Sequence, residues 1–284
     1  MTETHIVQGD NLEVLRTLPD GVFQVIYLDP PFNTGRRQER RSMKTVRTEG
    51  GARTGFGGAS YETVKGALYG YDDEFEDYWE FLEPRLIEAH RVLADSGTLY
   101  LHLDYREVHY AKVALDALFG RSAFLNEIIW AYDYGAKSTK KWPTKHDTIL
   151  VYVKNPATYF FDSSEVDREP YMAPGLVTAE KVARGKLPTD VWWHTIVSPT
   201  GKEKTGYATQ KPLGILRRII AASSRPGDWV LDVFAGSGTT GEAAATLGRN
   251  VVLVDQSDDA IAVMESRLGV SHSLLVPELA PRPA

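Results

Sequence analysis

An apolar segment near the start of the chain ends in a carboxylate, two prolines and an aromatic ring. Residues 25–28 are aliphatic or aromatic, and Asp29, Pro30, Pro31 and Phe32 follow them directly. Each proline fixes its φ angle and removes a backbone donor, so the carbonyl groups of this turn have few local partners. A rigid carboxylate, carbonyl acceptors and a ring face would together suit a planar molecule that carries an amino group. The simpler alternative is a strand that ends in a tight turn.

A glycine-rich turn in the last quarter of the chain is the second candidate site. The apolar segment 229–234 precedes Gly236-x-Gly238-x-x-Gly241, and residues that favour a helix follow. Glycines let a ligand approach the backbone closely, and the helix N-terminus adds a positive field. Asp255 ends the next apolar segment about 20 residues on, where such folds bind ribose hydroxyls. The pattern predicts a nucleotide-like cofactor, although a nicotinamide dehydrogenase or a purely structural turn would share it.

Alternating strands and helices must position these residues. Near-continuous apolar strands that alternate with amphipathic helices favour a parallel sheet covered on both faces, an α/β fold. Two segments, 125–132 and 147–153, are predicted to pair antiparallel at the sheet edge. The further predicted strands cover 6–7, 22–28, 98–103, 229–234 and 250–254, and the predicted helices cover 11–18, 75–93, 106–118, 242–247 and 260–268, with another that opens at Pro212.

The order of the two sites along the chain is unusual. A nucleotide-binding sheet usually starts at its glycine turn, whereas here that unit comes last and the units that end at Asp10 and Asp29 come first. The two halves are consistent with one sheet whose sequence is circularly permuted. Because open α/β sheets bind ligands at the carboxyl ends of their strands, we expect Asp10, Asp29, Gly236 and Asp255 around one crevice.

The composition limits the classes of protein that the chain can represent. Its 284 residues, 43% of them apolar, suffice for one large domain or one domain with a small insertion. Cysteine is absent, so we expect neither disulfides nor a thiolate zinc site, and we predict no metal. No signal peptide or membrane span is visible, which predicts a cytoplasmic protein. The net charge of −6 argues against non-specific nucleic-acid coating but permits a local basic groove.

Two basic segments interrupt the strand and helix pattern. Residues 34–60 are rich in Gly and Arg, and we interpret them as a flexible electropositive flap beside Asp29 that could contact phosphate. The alternative is a solvated insertion without function. In the link 133–146, basic residues alternate with Tyr134 and Trp142, which fits a nucleic-acid contact as well as a polar hairpin loop. The basic residues that we predict to contact nucleic acid are Arg36, Arg37, Arg40, Lys137, Lys140 and Lys141.

The sequence resembles the β-class DNA amino-methyltransferases, which modify adenine N6 or cytosine N4. The resemblance covers nearly the whole chain except 155–205, which is short for a target-recognition region. It implies a Rossmann-like class I methyltransferase sheet in permuted order, with a catalytic half at 1–154 that includes a basic flexible insertion at 34–73. A small irregular target-recognition insertion at 155–205, a cofactor half at 206–270 and a tail at 271–284 would follow. The matching motifs are Asp29-Pro30-Pro31-Phe32, Gln210-Lys211-Pro212-Leu213 and Asp232-x-Phe234-x-Gly236-Ser237-Gly238-Thr239-Thr240.

The resemblance also implies a role for each motif residue. The Asp29 carboxylate and the Pro30 carbonyl would hold the amino group of a flipped base, and Phe32 would stack on its ring. S-adenosylmethionine would be the cofactor. Gly236, Gly238 and Thr239, with Phe234 in the same motif, would surround the cofactor. Asp255 would bind its ribose hydroxyls, and Asp10 would lie near its adenine. Lys211 would lie near the carboxylate of its methionine part, and Asp232 near the amino group.

Asp29 itself favours one target base. Enzymes of this type that modify cytosine more often carry Ser-Pro-Pro-Tyr, so our hypothesis is a site-specific DNA adenine-N6 methyltransferase. The alternatives are a cytosine-N4 methyltransferase, more distantly an NAD-dependent oxidoreductase, and a DNA-binding module that has lost catalysis. We expect double-stranded DNA as partner, a homodimer, a cognate restriction endonuclease, no membrane contact, and a place near the nucleoid of a bacterial or archaeal cell.

Overall fold

One large sheet carries both candidate sites. The computed structural model describes residues 2–35, 38–47, 53–54, 60–71, 78–133, 137–198, 201, 203–276 and 278–279, with only the backbone of 38–47, 53–54 and 60–71. The strands of these residues are β1 (Thr4–Gln8), β2 (Phe23–Leu28), β3 (Gln38–Arg47), β4 (Arg53–Thr54), β5 (Ser60–Tyr71), β6 (Leu93–Leu103), β7 (Phe124–Ala131), β8 (His146–Val153), β9 (Val191–Trp193), β10 (Trp229–Asp232) and β11 (Asn250–Asp255). Their α-helices are α1 (Asn11–Thr17), α2 (Tyr78–Val92), α3 (Val108–Phe119), α4 (Ala179–Arg184), α5 (Leu213–Ser223), α6 (Thr239–Thr246) and α7 (Asp258–Leu268).

The sheet joins the first and last parts of the chain. Its eight described strands lie in the order β1-β11-β10-β2-β6-β8-β7-β9, and only β8 runs opposite to the others. The strand β10 pairs with β11 on one side and with β2 on the other. The predictions of one permuted α/β sheet and of an antiparallel pair of β7 and β8 are therefore confirmed, although β9 lies outside β7 and forms the edge.

Alternating side chains of the central strands bury both faces of the sheet. Every residue of β2 is buried, as expected of a parallel strand covered on both sides. Ile26 and Leu28 pack with residues of α1, α2 and α3 on one face. Val25 and Tyr27 pack with residues of α5, α6 and α7 on the other. Two helical layers thus fix the sheet and, with it, the loops at its carboxyl edge.

The segment after Phe32 differs from our prediction of a long basic loop. Residues 38–47 and 60–71 form an antiparallel pair, β3 and β5, with the short β4 on the other side of β5. The segment 60–71 contains several Tyr, Thr and Val residues that favour strands, and it supplies the ladder partner that the glycine- and arginine-rich part lacks by itself. Arg36 and Arg37 lie outside the described residues, and Arg40 pairs with Tyr69 in the β3–β5 ladder.

The segment 155–205 is attached to the sheet domain rather than folded by itself. The guanidinium of Arg218 on α5, whose side chain is 8% exposed, lies 2.5 Å from the Asp167 carboxylate and 3.1 Å from that of Glu169. Val166 packs on Ala221 and Ala222 of the same helix. A segment this short lacks the apolar residues for its own core, so it uses the outer face of α5. The domain limits given above stay a prediction.

The described ranges show neither a membrane-spanning helix nor a metal-binding cluster. None of the helices there combines the length and the apolar character that a membrane crossing requires. Those ranges also contain no group of three or more His, Asp or Glu side chains that could hold a metal ion.

Candidate active site

Six carboxylates meet at the carboxyl edge of the sheet. Asp10, Asp29 and Asp104 follow β1, β2 and β6, whereas Asp232 and Asp255 end β10 and β11. The sixth, that of Asp147, is at the start of the reversed strand β8 and therefore reaches the same edge. All six line one cavity of about 700 Å³, to which Arg85 and Lys211 contribute positive charge. The structure thus brings Asp10, Asp29, Gly236 and Asp255 together around one crevice, whereas the predicted Gly238 does not line it.

The turn after β2 presents acceptors toward this cavity. The Asp29 side chain is 15% exposed, and its Oδ2 atom pairs with the ammonium of Lys211. Its Oδ1 atom is buried and has no hydrogen-bond partner among the described residues. The Pro31 carbonyl accepts a hydrogen bond of 2.8 Å from the Tyr78 hydroxyl, whereas no described donor bonds to the Pro30 carbonyl. Asp29 and Pro30 therefore each keep an acceptor oxygen without a described donor in the wall of the cavity.

Behind Asp29 lies a buried histidine that sequence reasoning missed. His102 is the next-to-last residue of β6 and has no exposed surface. Its Nδ1 atom is 2.7 Å from the Tyr27 hydroxyl and 3.9 Å from Asp29 Oδ1, and its Nε2 atom is 3.4 Å from Asp147 Oδ2. The Tyr132 hydroxyl donates a hydrogen bond of 3.1 Å to the other Asp147 oxygen. A histidine near the carboxyl end of an apolar strand was the sequence signal that could have revealed this cluster.

The ionisation states of this cluster follow from its surroundings. Burial acts to raise the pKa of Asp147, but His102, Lys211 and the Tyr132 hydroxyl outweigh it and hold the pKa below its usual value. Burial, with the negative charges nearby, raises the pKa of Tyr27 and of Tyr132. Asp147 is therefore a carboxylate at neutral pH, and both tyrosines keep their protons.

The glycine turn between β10 and α6 has a backbone that side chains would disrupt. Gly236 and Gly238 have positive φ angles of 49° and 71°. A Cβ atom on Gly238 would lie 2.8 Å from Cγ of Met264, and one on Gly236 would lie 3.1 Å from the Tyr207 ring. Glycine is therefore required at both positions, and the turn leaves its backbone open toward the cavity.

Two of the predicted cofactor carboxylates also hold this turn in place. Asp232 is 2% exposed, and its carboxylate accepts hydrogen bonds from the Phe234 amide at 3.0 Å and from the Thr240 hydroxyl at 2.5 Å. Burial raises the pKa of Asp232 to about 7, with smaller contributions from the charges of Asp29 and Asp255. The Asp255 carboxylate accepts a hydrogen bond of 2.9 Å from the Gly236 amide. Their predicted contacts with the cofactor stay predictions.

Lys211 and Thr239 connect the two sites. The hydroxyl of Thr239, at the start of α6, donates a hydrogen bond of 3.1 Å to the Lys211 carbonyl. The side chain of Lys211 extends from there to Asp29, which places its ammonium 5.1 Å from the centroid of the Phe32 ring. Sequence reasoning placed Lys211 at the carboxylate end of the cofactor and did not foresee its pairing with Asp29.

Asp10 has a structural role at the rim of the cavity. Its Oδ1 atom caps α1 by accepting hydrogen bonds from the amides of Leu12 at 2.9 Å and Glu13 at 3.1 Å. Its Oδ2 atom is 3.2 Å from the guanidinium of Arg85, which lies over the Phe81 ring. Its predicted place near the adenine of the cofactor stays a prediction.

The basic link between β7 and β8 lies at the same edge of the sheet. Lys137, Lys140 and Lys141 are exposed there, and Trp142 is 94% exposed. The ammonium of Lys141 lies 5.7 Å from the centroid of the Tyr105 ring. Positive charge and an exposed aromatic ring therefore lie at the carboxyl edge of the sheet.

Comparison with known proteins identifies the family. The model of the DNA methylase family that comprises the N6 and N4 enzymes matches residues 23–266. The chain belongs to this family. It is a DNA amino-methyltransferase of the β class, and S-adenosylmethionine is its cofactor. The nicotinamide-dependent oxidoreductase that the glycine turn alone would permit is thereby ruled out.

Two relatives align with almost all of this methylase. Type II methyltransferase M.HpaI of Haemophilus parainfluenzae is 28% identical over 268 residues, which span 94% of this chain and 74% of the relative. DNA adenine methyltransferase YhdJ of Escherichia coli strain K12 is 28% identical over 283 residues, which span 97% and 86%. Both relatives are named as methyltransferases, in agreement with the family of the chain.

Two solved structures share the fold of the methylase. The complex of M1.HpyAVI with S-adenosylmethionine superposes with a TM-score of 0.60 at 20% identity, covering 94% of this chain and 100% of the other. The cytosine-N4-specific PvuII DNA methyltransferase superposes with a TM-score of 0.65 at 14% identity, covering 94% and 87%. At these identities the likeness establishes the fold, a Rossmann-like class I methyltransferase sheet, and leaves the target base open.

The cavity of the methylase fits its cofactor. Six carboxylates against two basic side chains give the described lining a negative balance, which favours a sulfonium and an ammonium group. The turn lines the cavity with Gly236, Ser237 and Thr239, which can contact the cofactor closely.

Proposed function

We propose that this methylase is a site-specific DNA adenine-N6 methyltransferase that acts on a base flipped out of the double helix. The observation that carries the proposal is that Asp29 and Pro30, each with an oxygen that no described donor bonds, line the same cavity as the glycine turn. A cofactor site and an amine site within one cavity are what transfer of a methyl group to an amino group requires.

The chemistry of an exocyclic amine explains why two acceptors are needed. The nitrogen lone pair of such an amine is delocalised into the base ring, which makes the amine a poor nucleophile. Hydrogen bonds to Asp29 Oδ1 and to the Pro30 carbonyl would hold both amino hydrogens and direct the lone pair toward the methyl donor. S-adenosylmethionine supplies a methyl group that its sulfonium already activates, so positioning is the main task of the protein.

The target base needs a flat surface and a way out of the duplex. Phe32 lies at the cavity beside Asp29, and its ring would stack on the flipped base. The exposed Lys137, Lys140 and Lys141 lie where DNA phosphates would pass if the base enters from this edge. Arg36, Arg37 and Arg40 are proposed to contact DNA on sequence grounds alone.

Adenine rather than cytosine is proposed because of the acid at position 29. YhdJ, which matches 97% of the chain, is named as an adenine enzyme, and this supports the proposal. The cytosine-N4 enzyme of PvuII shares the fold at 14% identity, so cytosine N4 is kept as the second candidate.

The test is a chemical analysis of methylated DNA. Unmethylated plasmid DNA would be incubated with the protein and S-adenosylmethionine, digested to nucleosides and measured by mass spectrometry. We expect N6-methyladenine. N4-methylcytosine alone would contradict the base assignment, and the absence of both with a folded, cofactor-binding protein would contradict the activity. Single-molecule sequencing of the same DNA would give the recognition sequence.

The partners beyond DNA are separate proposals. A homodimer and a cognate restriction endonuclease are proposed from the resemblance to restriction-modification enzymes, as is a place near the nucleoid. Sedimentation of the purified protein would test the dimer. Protection of methylated plasmid from a candidate endonuclease encoded nearby would test the cognate restriction endonuclease.

A further inference from the structure

His102 places a buried imidazole directly behind the proposed amine site. Its Nδ1 atom lies 3.9 Å from Asp29 Oδ1, and its Nε2 atom lies 3.4 Å from Asp147 Oδ2. The ring also lies 5.7 Å from Phe32, centroid to centroid. The buried His102 therefore borders both carboxylates and the proposed stacking ring. Positioning of the amine by Asp29 and Pro30 does not by itself require a histidine there.

Two orphan atoms in this cluster indicate a place for a proton. Tyr27 is neutral, so its hydroxyl can donate to Nδ1 at 2.7 Å, which leaves the imidazole hydrogen on Nε2 toward Asp147. In the structure Nε2 and Asp29 Oδ1 are buried without a hydrogen-bond partner among the described residues. A proton on Nδ1 would be shared between the Tyr27 hydroxyl at 2.7 Å, which can turn to accept it, and the orphan Asp29 Oδ1 at 3.9 Å. The cluster is therefore arranged to receive one proton more than the neutral state holds.

We propose that His102 accepts the proton that the target amine loses during methyl transfer, acting through Asp29. The proposal rests on the role of Asp29 given above. A bond forms between the amine nitrogen and the methyl carbon while the carbon–sulfur bond breaks, and its electron pair stays on sulfur. The nitrogen then carries one proton too many. That proton passes to Asp29 Oδ1 and on to His102 Nδ1, which yields a neutral methylamine, a neutral thioether and an imidazolium.

The charges around His102 suit this transfer. The end of β2 contributes the Asp29 carboxylate and the neutral Tyr27, and β8 contributes the Asp147 carboxylate. From β7 the uncharged Trp130 packs on the ring. Lys211, from the loop before α5, opposes the imidazolium, but its ammonium is paired with Asp29. An imidazolium formed by the transfer would lie between the carboxylates of Asp29 and Asp147, at 3.9 and 3.4 Å.

The test is the pH dependence of the single-turnover methylation rate. A protonated His102 cannot accept, so the rate of the parent should fall as the pH is lowered. The variant His102→Gln keeps an amide near Asp147 but cannot ionise, so it should lose this acid limb and become roughly 10²-fold slower. Asp147→Asn removes a carboxylate that favours the imidazolium, so it should move the limb to lower pH. The exposed His109→Gln is the matched control and should leave the profile unchanged.

The outcomes separate this proposal from the proposed function. Cofactor affinity and thermal unfolding of each variant show whether it is folded, and Asp147→Asn supplies a test that does not require a change at His102 itself. If His102→Gln and Asp147→Asn both kept the acid limb at the midpoint of the parent while Asp29→Asn was inactive, the role of His102 would be overturned. The proposed function would then still stand. An active Asp29→Asn enzyme would remove the proposed function and this proposal together.

Discussion

The ammonium of Lys211 forms an ion pair with the carboxylate of Asp29 at the centre of the cavity. It also lies 5.1 Å from the centroid of the Phe32 ring. A positively charged N–H donor thus occupies the region where the amino group of a target base is expected. The pair leaves Asp29 Oδ1 as the orphan oxygen, which is buried 3.9 Å from His102 Nδ1.

The Asp29–Lys211 pair should be visible in a double-mutant cycle. Their side chains are only 15% and 11% exposed. Removal of either partner would therefore leave the other as a largely desolvated charge. We expect Lys211→Met to lower the free energy of unfolding by about 1–3 kcal/mol, and Asp29→Asn combined with Lys211→Met to recover part of that loss. Urea unfolding of the four proteins would measure the coupling. Strict additivity would show that the pair does not form in solution.

Removal of the Asp29 carboxylate should separate chemistry from cofactor binding. We expect Asp29→Ala to lose nearly all methylation activity, because one of the two acceptors for the amine is gone, while the affinity for S-adenosylmethionine stays within a few-fold of the parent. Methyl incorporation into DNA and calorimetric titration with the cofactor would measure the two effects. Equal activity of variant and parent would favour the alternative of a DNA-binding module without catalysis.

The sequence predicted the sheet, both motifs and their common edge, but not the contacts between them. Apolar strands and glycine spacing are local patterns, so β2, β10 and the turn at Gly236 could be located in advance. The pairing of Lys211 with Asp29 joins residues 182 positions apart and depends on side-chain direction. His102 looked like one more residue of an apolar strand until the neighbouring strand β8 placed Asp147 beside it.

The hairpin of β3 and β5 was missed for a related physical reason. A strand without apolar alternation is stabilised by its ladder partner, and the basic half alone resembles a loop. Asp10 and Asp232 line the cavity, but their capping and turn-holding hydrogen bonds depend on the backbone positions of α1 and α6, which the sequence pattern does not give.

The conformation of Gly238 predicts a local and severe effect of a single methyl group. Gly238→Ala would place Cβ 2.8 Å from Met264 at a φ angle of 71°, so we expect a loss of about 1–3 kcal/mol in unfolding free energy and weaker cofactor binding. Gly175→Ala is the matched control, since no atom lies within 4 Å of its added Cβ. Equal melting temperatures for the two variants would contradict the predicted steric clash at position 238.

Asp232 should make the stability of the methylase depend on pH near neutrality. Burial raises its pKa in the folded protein to about 7, above its value in the unfolded chain, so the folded state holds the proton that the unfolded state has lost. This contribution is present at acid pH and is lost as the pH rises through 7, with a magnitude of up to about 4 kcal/mol. Asp232→Asn should therefore gain stability relative to the parent between pH 5 and about 8. A difference that stays constant over this range would show that Asp232 is ionised throughout.

Charge on the β7–β8 link should govern DNA affinity. Lys141 is exposed at the edge of the cavity, whereas Arg121, whose side chain is 91% exposed, precedes β7 at the opposite edge of the sheet. We expect Lys141→Gln to weaken DNA binding at all sequences and to reduce the slope of log K against log salt by about 0.9, the value for one phosphate contact. Arg121→Gln removes the same charge and should leave affinity and slope unchanged. Fluorescence anisotropy with a labelled duplex at several salt concentrations would measure both. If the two variants lost affinity equally, the net charge of the protein and not this link would determine binding.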